Sequence, residues 1–239
     1  MPACPELFTA ATPEDEVITD CDNASWLRCW RDRQTGFHQT AVNPLLTRFW
    51  PELGLGAASR IFVPLCGKSL DMLWLAQQGH EVIGVELSPL AVRAFFKENR
   101  LQPTRHPAGG FTLWRAGRIS ILCGDYFALT QVELGQIDAV YDRAALTAFP
   151  EEVRLLYVAH LQVILPTSGK VFILTTELPN ADEQPAQRLE ADAELVALYE
   201  AAFKVELTHV ESMFEVDPEG EDRPHIEVAH KVYRLSPKG

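Results

Sequence analysis

The sequence predicts an α/β domain built on a doubly wound, seven-stranded, mostly parallel sheet whose last strand runs antiparallel. Three observations carry this. Short apolar runs without alternation, Ile61 to Val63, Glu81 to Glu86, Ile119 to Cys123, Ile137 to Tyr141 and Lys170 to Thr176, read as strands buried on both faces. Stretches of helical period separate most of them, as parallel crossovers require. After the fifth run come two longer β-rich stretches, Phe203 to Val216 and Ile226 to Leu235, spaced as an antiparallel hairpin with its loop at Asp217 to His225.

Taken in order, residues 1–23 are acidic and proline-spotted, and are expected to form a flexible arm ahead of one domain spanning residues 24–239. Trp26 to Gln34 and Pro44 to Trp50 read as helices. Ile61 to Val63 runs into the turn Pro64-Leu65-Cys66-Gly67-Lys68-Ser69, where Gly67 lets the backbone approach a ligand closely. Ser69 suits a helix N-cap, and Leu70, Leu73, Trp74 and Gln77 follow helical spacing with Gly79 just past the end. The unfilled amides of that helix would then point back at Leu65 to Lys68. Leu90 to Glu98 reads as a helix with Pro89 in its first turn, Pro103 to Gly110 as a loop, and Phe111 to Arg115 as a short strand or turn. Glu151 to Ile164 is helical and stops before Pro166 and Gly169; Ala191 to Ala202 is the last helix.

Glu86 carries the first chemical signal. It closes the second strand roughly twenty residues after the Gly67 turn, where nucleotide folds place a carboxylate to accept both ribose hydroxyls. Three other readings compete. An ordinary βαβ unit whose glutamate merely ends a strand is possible in any parallel sheet. A phosphate loop needs a glycine five positions before Gly67, and Phe62 stands there. A dinucleotide turn needs three glycines, and this one has a single glycine. A nucleoside without phosphates fits best, and S-adenosylmethionine is the common cofactor of that kind. Asp125, after Gly124, is placed to accept from an adenine amino group and Tyr126 to cover the ring, although an Asp after Gly is also a common turn.

Composition excludes several classes. Of 239 residues 47% are hydrophobic, yet no apolar stretch approaches the ~20 residues that span a bilayer, so no membrane partner is expected. The net charge is −12 with no basic stripe, which argues against nucleic acid and for a small-molecule substrate. Met1 to Glu6 lacks a basic region before an apolar core, and the five cysteines show no pairing pattern, so a cytoplasmic location with reduced thiols is expected; a monomer is expected as well, though nothing in these features fixes it. The seven histidines show no zinc-binding spacing, and no metal is expected.

Six segments together resemble one family: Trp26 to Trp30, Thr35 to Gln39, Asn43 to Leu46, Phe62 to Ser69, Gly84 to Ser88 and Tyr141 to Leu146. They strongly resemble the thiopurine S-methyltransferases in their bacterial form, densely from Ser25 to Leu165. The resemblance implies the class I fold of S-adenosylmethionine-dependent methyltransferases, with Trp30, Leu65, Glu86 and Arg143 at the cofactor and Asp125 and Tyr126 beside the adenine. It also implies that Phe37 borders both cofactor and substrate, and that Arg143 and Arg223 lie near a thiol-bearing acceptor. Where the bacterial family carries a glycine-proline-proline-phenylalanine motif beside the substrate, this chain has Asn180 to Arg188 without it.

The chemistry of the residues agrees. Trp26, Trp30 and Phe37 suit a methyl sulfonium, a soft cation best held by aromatic faces. Trp26 and Trp30 are also spaced i, i+4, as a core-packing helix would show. Arg143 is the catalytic candidate, because a guanidinium stabilises a forming thiolate but cannot act as a base. His38, directly after Phe37, is of the type to accept a proton but reads first as a surface or capping histidine, Cys66 as a small buried cysteine, and Lys68 as a cation in solvent or near Asp71. The expected activity is methyl transfer to small aromatic or heterocyclic thiols. Alternatives are methylation of selenium or tellurium anions or halide, and a cofactor-binding sensor without turnover.

Overall fold

The computed structural model describes residues 13–177, 190–216 and 225–238. Helices α1 (Pro13–Asp32) and α2 (Pro44–Phe49) precede strand β1 (Arg60–Val63), followed by α3 (Asp71–Gln77), β2 (Glu81–Glu86) and α4 (Pro89–Glu98). A hairpin, β3 (Thr104–Ala108) and β4 (Phe111–Ala116), leads to β5 (Ile119–Cys123), α5 (Gln131–Leu134), β6 (Ala139–Arg143) and α6 (Glu151–Ile164). Then come β7 (Lys170–Glu177), α7 (Ala193–Tyr199), β8 (Phe203–Val216) and β9 (His225–Pro237).

The nine strands form one sheet in the order β3-β4-β5-β2-β1-β6-β7-β9-β8. Strands β5, β2, β1, β6 and β7 are parallel neighbours, and β9 inserts antiparallel between β7 and β8. These are the seven strands expected, with the last one reversed. The β3–β4 hairpin is an addition at the β5 edge.

Each face of the sheet carries its own core. On one, α2, α3 and α4 bury Leu45, Leu46, Met72, Leu75, Val92 and Phe95 against Ile61, Ile121 and Phe172. On the other, α6 and α7 bury Val153, Tyr157, Leu161, Leu195 and Tyr199 against Phe62, Val140 and Ile173. Local signals start these helices. The Ser88 hydroxyl accepts from the Ala91 amide at 3.4 Å with Pro89 at the first position, and Glu151 and Glu152 sit in the first turn of α6. Phe95 is fully buried in the first core, and truncating such a residue to alanine costs about 3–5 kcal/mol.

Four local expectations are corrected. Helix α1 begins at Pro13, not Trp26, and so runs through much of the segment expected to be a flexible arm. Pro103 to Gly110 is not a loop: Thr104 to Ala108 pairs with Phe111 to Ala116 across a turn with Gly109 at φ +58°. That strand is an edge with almost every residue exposed, so it has no burial alternation to read, and Arg105 lies over the Trp114 ring at 3.7 Å. Ser69 is not the cap of α3, which starts after Leu70; its hydroxyl accepts from Asp71 N at 3.2 Å. Lys68 pairs with Glu98 at 2.9 Å rather than with Asp71. The expectations for Leu178 to Arg188 and for Arg223 lie outside the described residues. Among the described residues no helix is long and apolar enough to cross a membrane, and no group of acidic, histidine and cysteine side chains could hold a metal.

Candidate active site

Parallel strands deliver their carboxyl ends to one side of the sheet, and the loops leaving β1, β2, β5 and β6 surround a cleft of about 320 Å³. Leu65, Gly67, Glu86, Asp125, Tyr126 and Arg143 all line it, with Trp26, Trp30 and Phe37. Every expected site residue among the described ones therefore meets in one place.

Packing brings the β1 loop down onto β2. Cys66 N donates to Val85 O at 2.9 Å, and a Cβ at Gly84 would stand 2.6 Å from the Cys66 sulfur, so only glycine lets the loop sit there. Gly67 adopts φ +52°, and its amide donates to Glu86 Oε2 at 2.9 Å. Ser88 N donates to Glu86 Oε1 at 2.6 Å. Glu86 is buried in the cleft wall and forms no ion pair among the described residues. Burial raises its pKa to about 7, against these two amides, which pull it down.

Opposite lies a network that sequence reading missed. Asp71, only 1% exposed, accepts from Arg143 Nε at 3.0 Å, the Tyr141 hydroxyl at 2.8 Å and Asn43 N at 2.8 Å. Arg143 Nη2 also donates to the Ser69 hydroxyl at 3.3 Å. The guanidinium is thus held by Asp71 and Ser69, and Arg143 lines the cleft. Asp71 is the first residue of α3, close in sequence to Lys68, but the helix turns it into the core; the spacing alone gave no sign of Arg143, 72 residues away.

Helix α1 supplies the roof. It ends with Arg33 at φ +59° and Gln34 N donating to Cys29 O at 2.9 Å, a reversal that returns the chain beneath the helix. The tight turn that follows, closed by His38 N to Thr35 O at 2.9 Å, sets Phe37 edge-on to both indoles, 5.5 Å from Trp26 and 5.7 Å from Trp30. Phe37 is 48% exposed and both indoles are half-buried, so the three rings face the cleft rather than filling a core. His38 lines the cleft beside them.

At the far end Asp125 Oδ1 accepts from Phe127 N at 2.9 Å and Oδ2 from the Asn23 side chain at 2.8 Å, tying roof to floor. Asn23 was not foreseen, because nothing within its stretch of sequence marks a contact 102 residues distant. Tyr126 reaches the wall but sends its hydroxyl inward to Tyr157 O at 3.1 Å, and Phe127 presents a second, half-buried ring. Cys66 is buried as expected, and burial pushes its thiol well above the ordinary value.

Known proteins place this architecture. The profile of the thiopurine S-methyltransferase family matches residues 21–238. The thiopurine S-methyltransferase of Stutzerimonas stutzeri is 58% identical over 92% of this chain and 93% of its own length. That of Xanthomonas axonopodis pv. citri is 46% identical over 90% and 98%. Among solved structures, a SAM-dependent methyltransferase from Anabaena variabilis covers 90% of this chain and 95% of its own with a TM-score of 0.60 at 17% identity. Magnesium protoporphyrin IX methyltransferase from Synechocystis, with bound SAM, covers 97% and 100% with a TM-score of 0.55 at 13% identity, a likeness of fold. With the glutamate, the aromatic roof and the anchored arginine in one cleft, the chain belongs to the thiopurine S-methyltransferase family and is a methyltransferase that uses S-adenosylmethionine.

Proposed function

We propose that this S-methyltransferase acts on small aromatic or heterocyclic thiols of the thiopurine kind. The observation that carries the reading is the shared cleft: a half-exposed aromatic trio on one wall and, on another, a guanidinium held by a buried carboxylate.

The residues present fit the cofactor. Glu86 is a buried carboxylate with no cation beside it among the described residues, and it suits a pair of hydroxyl donors such as a ribose offers. Trp26, Trp30 and Phe37 would take the sulfonium end, and Asp125 the adenine amino group. When bound, S-adenosylmethionine supplies an electrophilic methyl group on a positively charged sulfur.

The chain's own part is alignment and charge. Holding two reactants in line is worth roughly 7–11 kcal/mol, and the reaction needs no metal and no covalent enzyme intermediate. The aromatic roof sheds water from the reacting centre. Arg143, oriented by Asp71 and Ser69, offers its positive face to an acceptor sulfur as charge builds there. A flat aromatic acceptor also stacks on Phe37, whose 48% exposure leaves a ring face open.

Titration calorimetry with S-adenosylmethionine, followed by a mass-spectrometric screen of arylthiols, heterocyclic thiols, alkyl thiols, selenite and halide, tests this. Methylated aromatic and heterocyclic thiols are expected as the main products. Tight binding with no methylated thiol overturns the reading.

A further inference from the structure

We propose that His38 is the catalytic residue that takes the proton from the acceptor thiol. This rests on the S-methyl transfer reading above. An ordinary thiol, with a pKa of about 8.5, is mostly protonated at neutral pH, so a site that methylates sulfur gains from a base within reach of it.

The other groups in the cleft are committed. Arg143 is a guanidinium and cannot accept a proton. Lys68 is tied to Glu98 at 2.9 Å, and Asp71 is filled by three donors. Each oxygen of Glu86 accepts a backbone amide and those of Asp125 accept Phe127 N and Asn23, and what capacity they keep is assigned above to the ribose and the adenine. The Cys66 thiol is buried and raised well above its usual range.

His38 is different. Its imidazole lines the cleft half-buried, next in sequence to Phe37 of the roof, and its ring makes no hydrogen bond to any described residue. The Thr35–His38 turn fixes its backbone, so the ring is presented without being used up structurally. The charged groups facing it are Lys68, Glu98, Arg143 and Asp71. Burial, then Lys68, hold its pKa below 6.5, which leaves the ring neutral and able to accept at pH 7. Once it is protonated, the carboxylates of Glu98 and Asp71 balance the two cations.

The step conserves atoms and charge. The S–H bond breaks and its proton goes to a ring nitrogen of His38. The sulfur's electron pair forms the new S–CH3 bond, the methyl–sulfonium bond breaks, and its pair stays on the departing sulfide. The half-exposed ring then returns the proton to water.

The test compares the parent protein with His38→Gln and His38→Ala on two acceptors, a nitro-substituted benzenethiol that is already a thiolate at pH 7 and phenylmethanethiol, which is protonated there. Positioned proton transfer contributes about 10²-fold or more, so kcat/KM for phenylmethanethiol is expected to fall by that order, with a much smaller fall for the thiolate. The gap between the two losses should close above pH 9. Equal losses on both acceptors at every pH overturn the proposal and leave His38 a shaping residue. In the parent protein, kcat/KM for phenylmethanethiol should rise through the histidine's pKa, below 6.5, while the thiolate shows no such limb; the same limb on both also overturns it. If the parent methylates neither thiol, the S-methyl transfer reading itself fails, a result separate from any histidine effect.

Discussion

Burial lifts the Glu86 carboxyl from 4.5 to about 7, so this residue links binding and stability to pH. For an acid raised in the folded state, the folded chain holds the proton more firmly than the unfolded one. Its contribution to stability is therefore intact below about 4.5 and lost as the pH climbs to about 7, a swing of about 3 kcal/mol. Ribose hydroxyls donate to the ionised form, so cofactor affinity should move the other way and strengthen from pH 6 to 8. Glu86→Gln is expected to flatten both dependences, to stabilise the free protein at pH 8 and to weaken cofactor binding; thermal melts and calorimetry across pH check this. The position of Glu86 was legible because it ends the second strand about twenty residues after the Gly67 turn, where nucleotide folds place a ribose-binding acid. Its two amide contacts were not, since they depend on where Gly67 and Ser88 turn.

Between β1 and α3 the chain makes its most consequential packing choice. The loop from Leu65, at φ +45°, to Ser69 sits on Gly84 of the next strand, and α3 opens with Asp71 pointing beneath Arg143. Replacing Asp71 by Asn removes the charge that orients the guanidinium while keeping the side chain's volume. The expected outcome is a loss of about 1.5–3 kcal/mol in urea unfolding, with a lower kcat and little change in S-adenosylmethionine affinity. The strand-turn-helix unit itself was readable from Ile61 to Glu86, because apolar runs, Gly67 and helical spacing all agree there. Lys68 was misplaced because proximity along a chain says nothing about which way a helix faces. The β3 strand was missed for a related reason: an exposed edge such as Thr104 to Ala108 owes its order to pairing with β4 and to Arg105 on Trp114, neither visible in a local pattern.

Across the whole molecule, the doubly wound plan followed from five buried runs and a closing hairpin, which is why α6 and β8 begin and end where sequence placed them. What escaped were long-range ties such as Asn23 to Asp125 and Arg143 to Asp71, set by tertiary packing alone. Because roof and floor both contact the same cleft, ligand binding should stabilise the entire fold. At about 100 times its dissociation constant a ligand adds about 2.7 kcal/mol, which for a chain of this size raises Tm by roughly 5–10 °C. Differential scanning fluorimetry with S-adenosylmethionine checks this, and Glu86→Ala should remove most of the shift. The placement of β9 between β7 and β8 has its own consequence during folding. Among the described strands β8 pairs with β9 alone, and β7 meets β8 only across it. Until His225 to Pro237 fills the gap, both present bare edges open to stray pairing with another chain. Slow pairing of that one strand thus lengthens the time in which the protein is exposed to aggregation and to chaperone capture.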